Sequence, residues 1–140
     1  EVKEAGALND ASSGINQSEK VSFLLIAEDD DASYFYVENV MKKYSDHIIR
    51  AVNGKEAVDL CLKNPEIDMV LMDIKMPGMD GYEATRKIRQ FNKNLIIIAQ
   101  TAYGLAGDQN KAIEAGCNDY ISKPINKDEL VALVLKRIRR

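Results

Sequence analysis

The segment Met69-Val70-Leu71-Met72-Asp73-Ile74-Lys75-Met76-Pro77-Gly78-Met79-Asp80-Gly81 decides the fold. Its first four residues are apolar without alternation, which suits a strand covered on both faces of a sheet. Asp73 ends that run, and a turn-rich loop follows it rather than an immediate helix start. Helix capping therefore does not account for this carboxylate, and a carboxylate at the end of an apolar strand needs a partner.

Outward from this segment, residues 23–27, 47–51, 95–100 and 120–122 read as four further strands, mostly continuous and apolar. Between them lie amphipathic stretches at helical spacing: Val37, Val40, Met41 and Tyr44 in the first, Ala57, Leu60 and Cys61 in the second. Gly116 suits the end of the fourth helix. Asn126, with Glu129 three residues on, opens the last, whose apolar stripe is Leu130, Val131, Val134 and Ile138. Five strands alternating with five helices and joined by right-handed crossovers give a doubly wound α/β sandwich.

The chain has 140 residues, of which 46% are hydrophobic and 29% charged, enough for one domain with a core and too little for two. Residues 1–20 are polar, small and aperiodic, and read as a flexible linker or tail before a domain over 21–140. No run approaches the roughly 18 to 20 apolar residues of a membrane-spanning helix. Nineteen basic against 22 acidic residues give a formal charge of −3, which argues against direct nucleic-acid or membrane contact. Two cysteines, Cys61 and Cys117, are too few for a disulfide framework or a zinc site, so a reducing, cytoplasmic setting is the expectation. The chain begins with Glu1 and shows no leader, and it reads as a piece of something longer.

In open parallel sheets the loops at the carboxyl ends of the strands build the site. Here the first strand runs into Glu28-Asp29-Asp30-Asp31 and the third ends at Asp73, so carboxylates from two strands converge on one edge. Such a group repels itself unless a cation sits within it, and oxygen-only ligands suit a hard cation such as Mg²⁺. The plainer reading, that Asp29 to Asp31 cap the first helix, stands beside this one. The fourth and fifth strands end in Gln100-Thr101-Ala102 and Ser122-Lys123-Pro124. A hydroxyl and an ammonium opposite an acid cluster make a small anion pocket, with Ala102 leaving room for the anion.

The order Glu28-Asp29, then Asp73 with Met76-Pro77-Gly78-Met79-Asp80-Gly81, then Thr101-Ala102, then Lys123-Pro124 resembles the receiver domain of bacterial two-component response regulators. The resemblance covers residues 21–140. It implies a flavodoxin-like five-stranded parallel sheet of order 2-1-3-4-5 with five helices, an order already described for this family. It also implies that Asp73 accepts a phosphoryl group from a phosphohistidine. Asp29, Asp73 and the backbone carbonyl of Lys75 would ligate Mg²⁺, or Mn²⁺ in its place, and Glu28 would act through a metal-bound water. Thr101 and Lys123 would bind the phosphoryl oxygens. Thr101 and Tyr120 would form the switch that alters the face of the fourth helix, fifth strand and fifth helix, and Lys123–Pro124 would be a cis peptide.

The implied partners are a histidine kinase core, on the same chain or another, or a histidine phosphotransfer protein. Homodimerisation through the switching face is left open. Glu28 stands where many relatives carry aspartate, and Gln100 where an apolar residue is common. Tyr103, two residues beyond Thr101, is expected to shield the acyl phosphate from water. His47, at the start of the second strand, is remote from the acids in this topology, so the donor histidine lies elsewhere. Cys61, Cys117 and the methionines Met69, Met72, Met76 and Met79 read as core or loop residues, and Lys136-Arg137-Arg139-Arg140 as a solvated face.

The competing class is a pseudo-receiver, a binding module that never carries phosphate; all five chemical positions being intact argues against it. A nucleotide-binding fold would want glycines after the first strand, and a haloacid-dehalogenase-like phosphatase a second aspartate where Lys75 stands. A linker ahead of a terminal receiver resembles the carboxyl-terminal module of a hybrid sensor histidine kinase, whose parent chain could be membrane-anchored, more than a free-standing regulator.

Overall fold

The computed structural model describes residues 19–102 and 107–139. Five strands alternate with five helices: β1 (Val21–Ala27), α1 (Asp31–Met41), β2 (Ser45–Ala51), α2 (Gly54–Lys63), β3 (Met69–Asp73), α3 (Gly81–Arg89), β4 (Ile96–Ala102), α4 (Asp108–Ala115), β5 (Asp119–Lys123) and α5 (Lys127–Arg139). All neighbouring pairs are parallel, in the order β2-β1-β3-β4-β5. This is the doubly wound order 2-1-3-4-5 expected above.

The continuous apolar strands have a simple cause. Successive strand side chains point to opposite faces, and here both faces are covered. Leu25, Ala27, Val70, Met72, Ile97 and Ala99 pack on one side with residues of α2, α3 and α4, such as Ala57, Ala84, Ile88 and Ala112. Leu24, Ile26, Met69, Leu71 and Ile98 pack on the other with Val37 and Met41 of α1 and Leu130 and Val134 of α5. Every residue of β3 is buried, Asp73 included, so the aspartate is carried into the molecule by the strand that precedes it.

Local signals set the helix ends. Asp30 caps α1 by accepting from the Ser33 amide at 2.9 Å, Asp80 caps α3 through Glu83 at 2.9 Å, and Asn126 receives the Glu129 amide at 2.9 Å ahead of α5. Gly116 ends α4 at φ 114°, a left-handed conformation that glycine adopts without strain. The Lys123–Pro124 peptide is cis. Tyr44 departs from the helical reading: α1 stops at Met41, and the Tyr44 amide turns back to the Met41 carbonyl at 2.9 Å while its own carbonyl receives the Val21 amide at 2.8 Å. Its ring still packs on the α1–α5 layer, which is why the apolar spacing ran past the helix. Lys136, Arg137 and Arg139 are more than a solvated face, while Arg140 lies outside the described residues. Arg137 and Lys136 pair with Asp119 at 3.0 and 3.4 Å, and Arg139 with Glu19 at 2.9 Å, tying α5 to β5 and to the start of the domain.

Candidate functional site

Strand register brings the site together. Asp73 lies level with Gln100, and Ala102 with Lys123, so the ends of β3, β4 and β5 open on one edge of the sheet. The chain leaving β1 supplies Glu28 there, its amide bonded to the Ala51 carbonyl at 2.9 Å. Lys123 Nζ lies 3.0 Å from Asp73 Oδ1 and 3.1 Å from Glu28 Oε1, a cation bridging two buried carboxylates. Glu28 Oε2 also accepts the Asp30 amide at 3.1 Å.

Charge is finely divided in this cluster. Burial pushes the Glu28 carboxyl up to about 7 and the charge of Asp73 adds to this, while the Asp30 amide and Lys123 pull it back. Burial also works against the Lys123 ammonium, but its hydrogen bond to Asp73, with the charges of Asp73 and Glu28, outweighs that and raises its pKa above the usual lysine value. The acid run is divided by role: Asp30 caps α1 and Asp31 begins it, whereas Glu28 and Asp29 face the site.

One carboxylate oxygen from each of Glu28, Asp29 and Asp73 lies within 4.8 Å of the others. Three hard oxygen donors this close fit a hard divalent cation such as Mg²⁺, which would relieve their mutual repulsion. Glu28 and Asp73 are 1% and 2% exposed while Asp29 is open to solvent, so a cation would sit at the rim rather than in the core. The Lys75 side chain is exposed, and the residue lines, with Asp29, Thr101 and Ala102, a cleft of about 820 Å³ that leads to the carboxylates.

Thr101 is buried, and its hydroxyl has no hydrogen-bond partner among the described residues. A buried hydroxyl is seldom left so, and this one lies beside the carboxylates on the edge where an anion would be held. Tyr120 is half-buried on β5 and packs against the α2–α3–α4 layer. Tyr103 lies outside the described residues. His47 is exposed at the opposite end of the sheet, edge-on to Phe23 with ring centres 4.6 Å apart.

Arg50 escaped the reading of the sequence, and Gln100 was noted there without a contact. Arg50, on β2, donates from Nε to the Glu28 carbonyl at 3.1 Å. Gln100 is 1% exposed, and neither its amide oxygen nor its amide nitrogen has a partner among the described residues. Arg50 carries no local signal, because its role depends on β2 lying against β1. Gln100 did stand out as a polar residue in an apolar strand.

Comparison with known proteins agrees with this geometry. The family model described as the response regulator receiver domain matches residues 24–135. The sensor protein GacS of Pseudomonas syringae pv. syringae is 32% identical over 124 residues, which are 85% of this chain but 14% of GacS. The chain therefore spans a small part of that curated relative. Among solved structures, the receiver domain of a sensor histidine kinase from Pseudomonas aeruginosa PAO1, with a magnesium ion coordinated in its active-site cleft, aligns at TM-score 0.76 and 31% identity, covering 86% of this chain and 99% of that one. The receiver domain of the response regulator Ssk1 of Saccharomyces cerevisiae, crystallised with the histidine phosphotransfer protein Ypd1, aligns at TM-score 0.76 and 31% identity, covering 82% of this chain and 87% of the other. With the family model matched over most of its length and the carboxylates, threonine and lysine gathered at one sheet edge, the chain belongs to the response regulator receiver domain family.

Proposed function

We propose that this domain accepts a phosphoryl group from a phosphohistidine onto Asp73 in a step that requires a divalent cation. The observation that carries this reading is the convergence of Glu28, Asp29 and Asp73 with Lys123, beside a Thr101 hydroxyl that has no partner among the described residues. A carboxylate is a competent nucleophile toward phosphorus. With Oδ1 of Asp73 held by Lys123, the other carboxylate oxygen attacks; the new P–O bond forms as the P–N bond to the donor imidazole breaks, and the imidazole leaves with the bond's electrons. Asp29, Asp73 and the Lys75 carbonyl would hold Mg²⁺, with Glu28 acting through a metal-bound water, and the ion would neutralise charge on the transferring group. Lys123 then follows the charge from carboxylate to phosphoryl oxygen as a point-charge donor, and the Thr101 hydroxyl takes a second oxygen.

Phosphorylation would favour the arrangement in which Thr101 approaches the phosphoryl group and Tyr120 turns inward, altering the α4–β5–α5 face by population shift. The donor is read as a histidine kinase core or a phosphotransfer protein, because a curated relative is a sensor histidine kinase and the similar receiver of Ssk1 was crystallised with a histidine phosphotransfer protein. The parent chain is read as a hybrid sensor kinase, since GacS is a sensor several times longer than the shared segment.

The test is intact mass after incubation with acetyl phosphate and Mg²⁺. A gain of about 80 Da, absent with EDTA and in Asp73→Asn, is the expected result for an aspartyl phosphate. If no adduct forms and beryllofluoride with Mg²⁺ does not bind, the domain is a phosphorylation-independent binding module.

A further inference from the structure

Arg50 grips both ends of the acidic loop. Strand β2 runs level with β1, Ile26 against Arg50 and Ala27 against Ala51, where both strands end, and the Ala51 carbonyl receives the Glu28 amide. From there Arg50 Nε donates to the Glu28 carbonyl at 3.1 Å, and Nη1 lies 2.9 Å from Asp31 Oδ1. Its guanidinium carbon sits 4.5 Å from the centre of the Tyr34 ring, a ring 7% exposed on α1. These three attachments bracket Glu28-Asp29-Asp30-Asp31, the stretch that supplies two of the three converging carboxylates.

The attachments are unequal. Asp31 is an exposed partner, its side chain 78% accessible, so that ion pair contributes little by itself. The carbonyl bond and the stack on Tyr34 lie deeper, with the Arg50 side chain 21% exposed. A planar fork serves here as an ammonium cannot, since one group must reach a carbonyl, reach a carboxylate and lie over a ring.

We infer that Arg50 is a positioning residue for the divalent cation. It touches no ligand oxygen of the cluster; it fixes the backbone that carries Glu28 and Asp29 so that their carboxylates are already gathered when the cation arrives. This rests on the reading of Glu28, Asp29 and Asp73 as cation ligands. Two effects of Arg50 oppose each other and decide the sign. Its positive charge repels a dication, whereas its hold on the loop spares the cation the cost of ordering it. Asp31 already offsets the charge, so ordering prevails and removal of Arg50 weakens binding.

The experiment is a calorimetric Mg²⁺ titration of the whole 140-residue chain and of Arg50→Ala, Arg50→Lys and Asp31→Asn, alongside acetyl phosphate kinetics. Residues that orient metal ligands commonly govern affinity by 10- to 100-fold, and about a tenfold rise in Mg²⁺ Kd is expected for Arg50→Ala. Arg50→Lys keeps the charge without the fork and falls between that variant and the parent, while Asp31→Asn changes Kd by less than about threefold. In the kinetics the KM for Mg²⁺ rises with the Kd and the rate at saturating Mg²⁺ stays at the parent value, a split that general loss of structure would not give. Unchanged or tighter binding in Arg50→Ala overturns the inference, as does a rate that saturating Mg²⁺ fails to restore. Should Arg50→Ala not fold, Arg50→Lys decides in the same way. If the parent chain itself binds no Mg²⁺, and Asp29→Asn and Asp73→Asn leave the titration unaltered, the cation reading fails; if the parent binds and Arg50→Ala binds equally, only the inference does.

Discussion

Gln100 stands one residue before Thr101, buried in a strand that is otherwise Ile96, Ile97, Ile98 and Ala99. An amide whose donor and acceptor both lack partners among the described residues is a net cost to folding, since water would have satisfied both in the unfolded chain. Gln100→Met keeps the length of the side chain and removes both polar atoms, and it should stabilise the protein by about 1 kcal/mol. A higher midpoint of urea unfolding with an unchanged slope is the measurement. A lower midpoint would show that the amide has a partner, such as an internal water. Thr101 presents the same chemistry with the opposite expectation. Its hydroxyl has no partner among the described residues and, on the proposed function, meets a phosphoryl oxygen, so Thr101→Ala should leave the unmodified fold within about 1 kcal/mol of the parent. The change should show instead in retention of the aspartyl phosphate, followed by intact mass over time.

The loop between β3 and α3 is held by backbone hydrogen bonds as well as by the buried Ile74 and Met76 and the capping Asp80. The Ile74 amide donates to the Gln100 carbonyl at 3.1 Å and the Gly81 amide to the Ile74 carbonyl at 2.9 Å, so the start of α3 closes directly on the residue after Asp73. A β-carbon at Gly81 would collide with the Asp73 carbonyl oxygen, with the Ile74 α-carbon 2.8 Å away. Gly81→Ala therefore forces the acceptor loop to shift and should cost about 2 kcal/mol by urea unfolding. A stability within a few tenths of the parent would show that the loop yields freely. Elements of this kind were largely legible in the sequence. The apolar run 69–72 ending in Asp73 gave strand and candidate site together, and Gly116 and Asn126 marked helix ends, because those signals are local. Tyr44 misled because its spacing is helical while its backbone closes a turn, and Arg50 stayed hidden because β2 meets β1 only across α1. The orphaned amide of Gln100 likewise depends on what three separate strands place around it.

At the scale of the molecule, the two layers on the sheet divide labour. The α1–α5 side carries the capped acidic loop and the ion pairs of α5, while the α2–α3–α4 side encloses both thiols, Cys61 and Cys117. Burial pushes Cys61 up to about 12 from an ordinary 9.0, and raises Cys117 against the opposing pull of Thr85 and Arg89. The sign of the effect on stability follows from proton counts. Below pH 9 the thiols are protonated in both folded and unfolded chains, so stability is unaffected by them. Between about 9 and 12 the unfolded chain releases the Cys61 proton and the folded chain keeps it, so stability falls by about 1.4 kcal/mol per pH unit for this one thiol. Cys117 acts in the same direction, as do Tyr34 and Tyr82, whose hydroxyls burial also raises. Cys61→Ala isolates the contribution of Cys61. Urea unfolding from pH 9 to 11 should show a stability slope shallower than the parent's by about 1.4 kcal/mol per unit. Parallel slopes would mean that Cys61 ionises in the folded state, and that the layer covering it opens far more readily than its packing against the sheet implies.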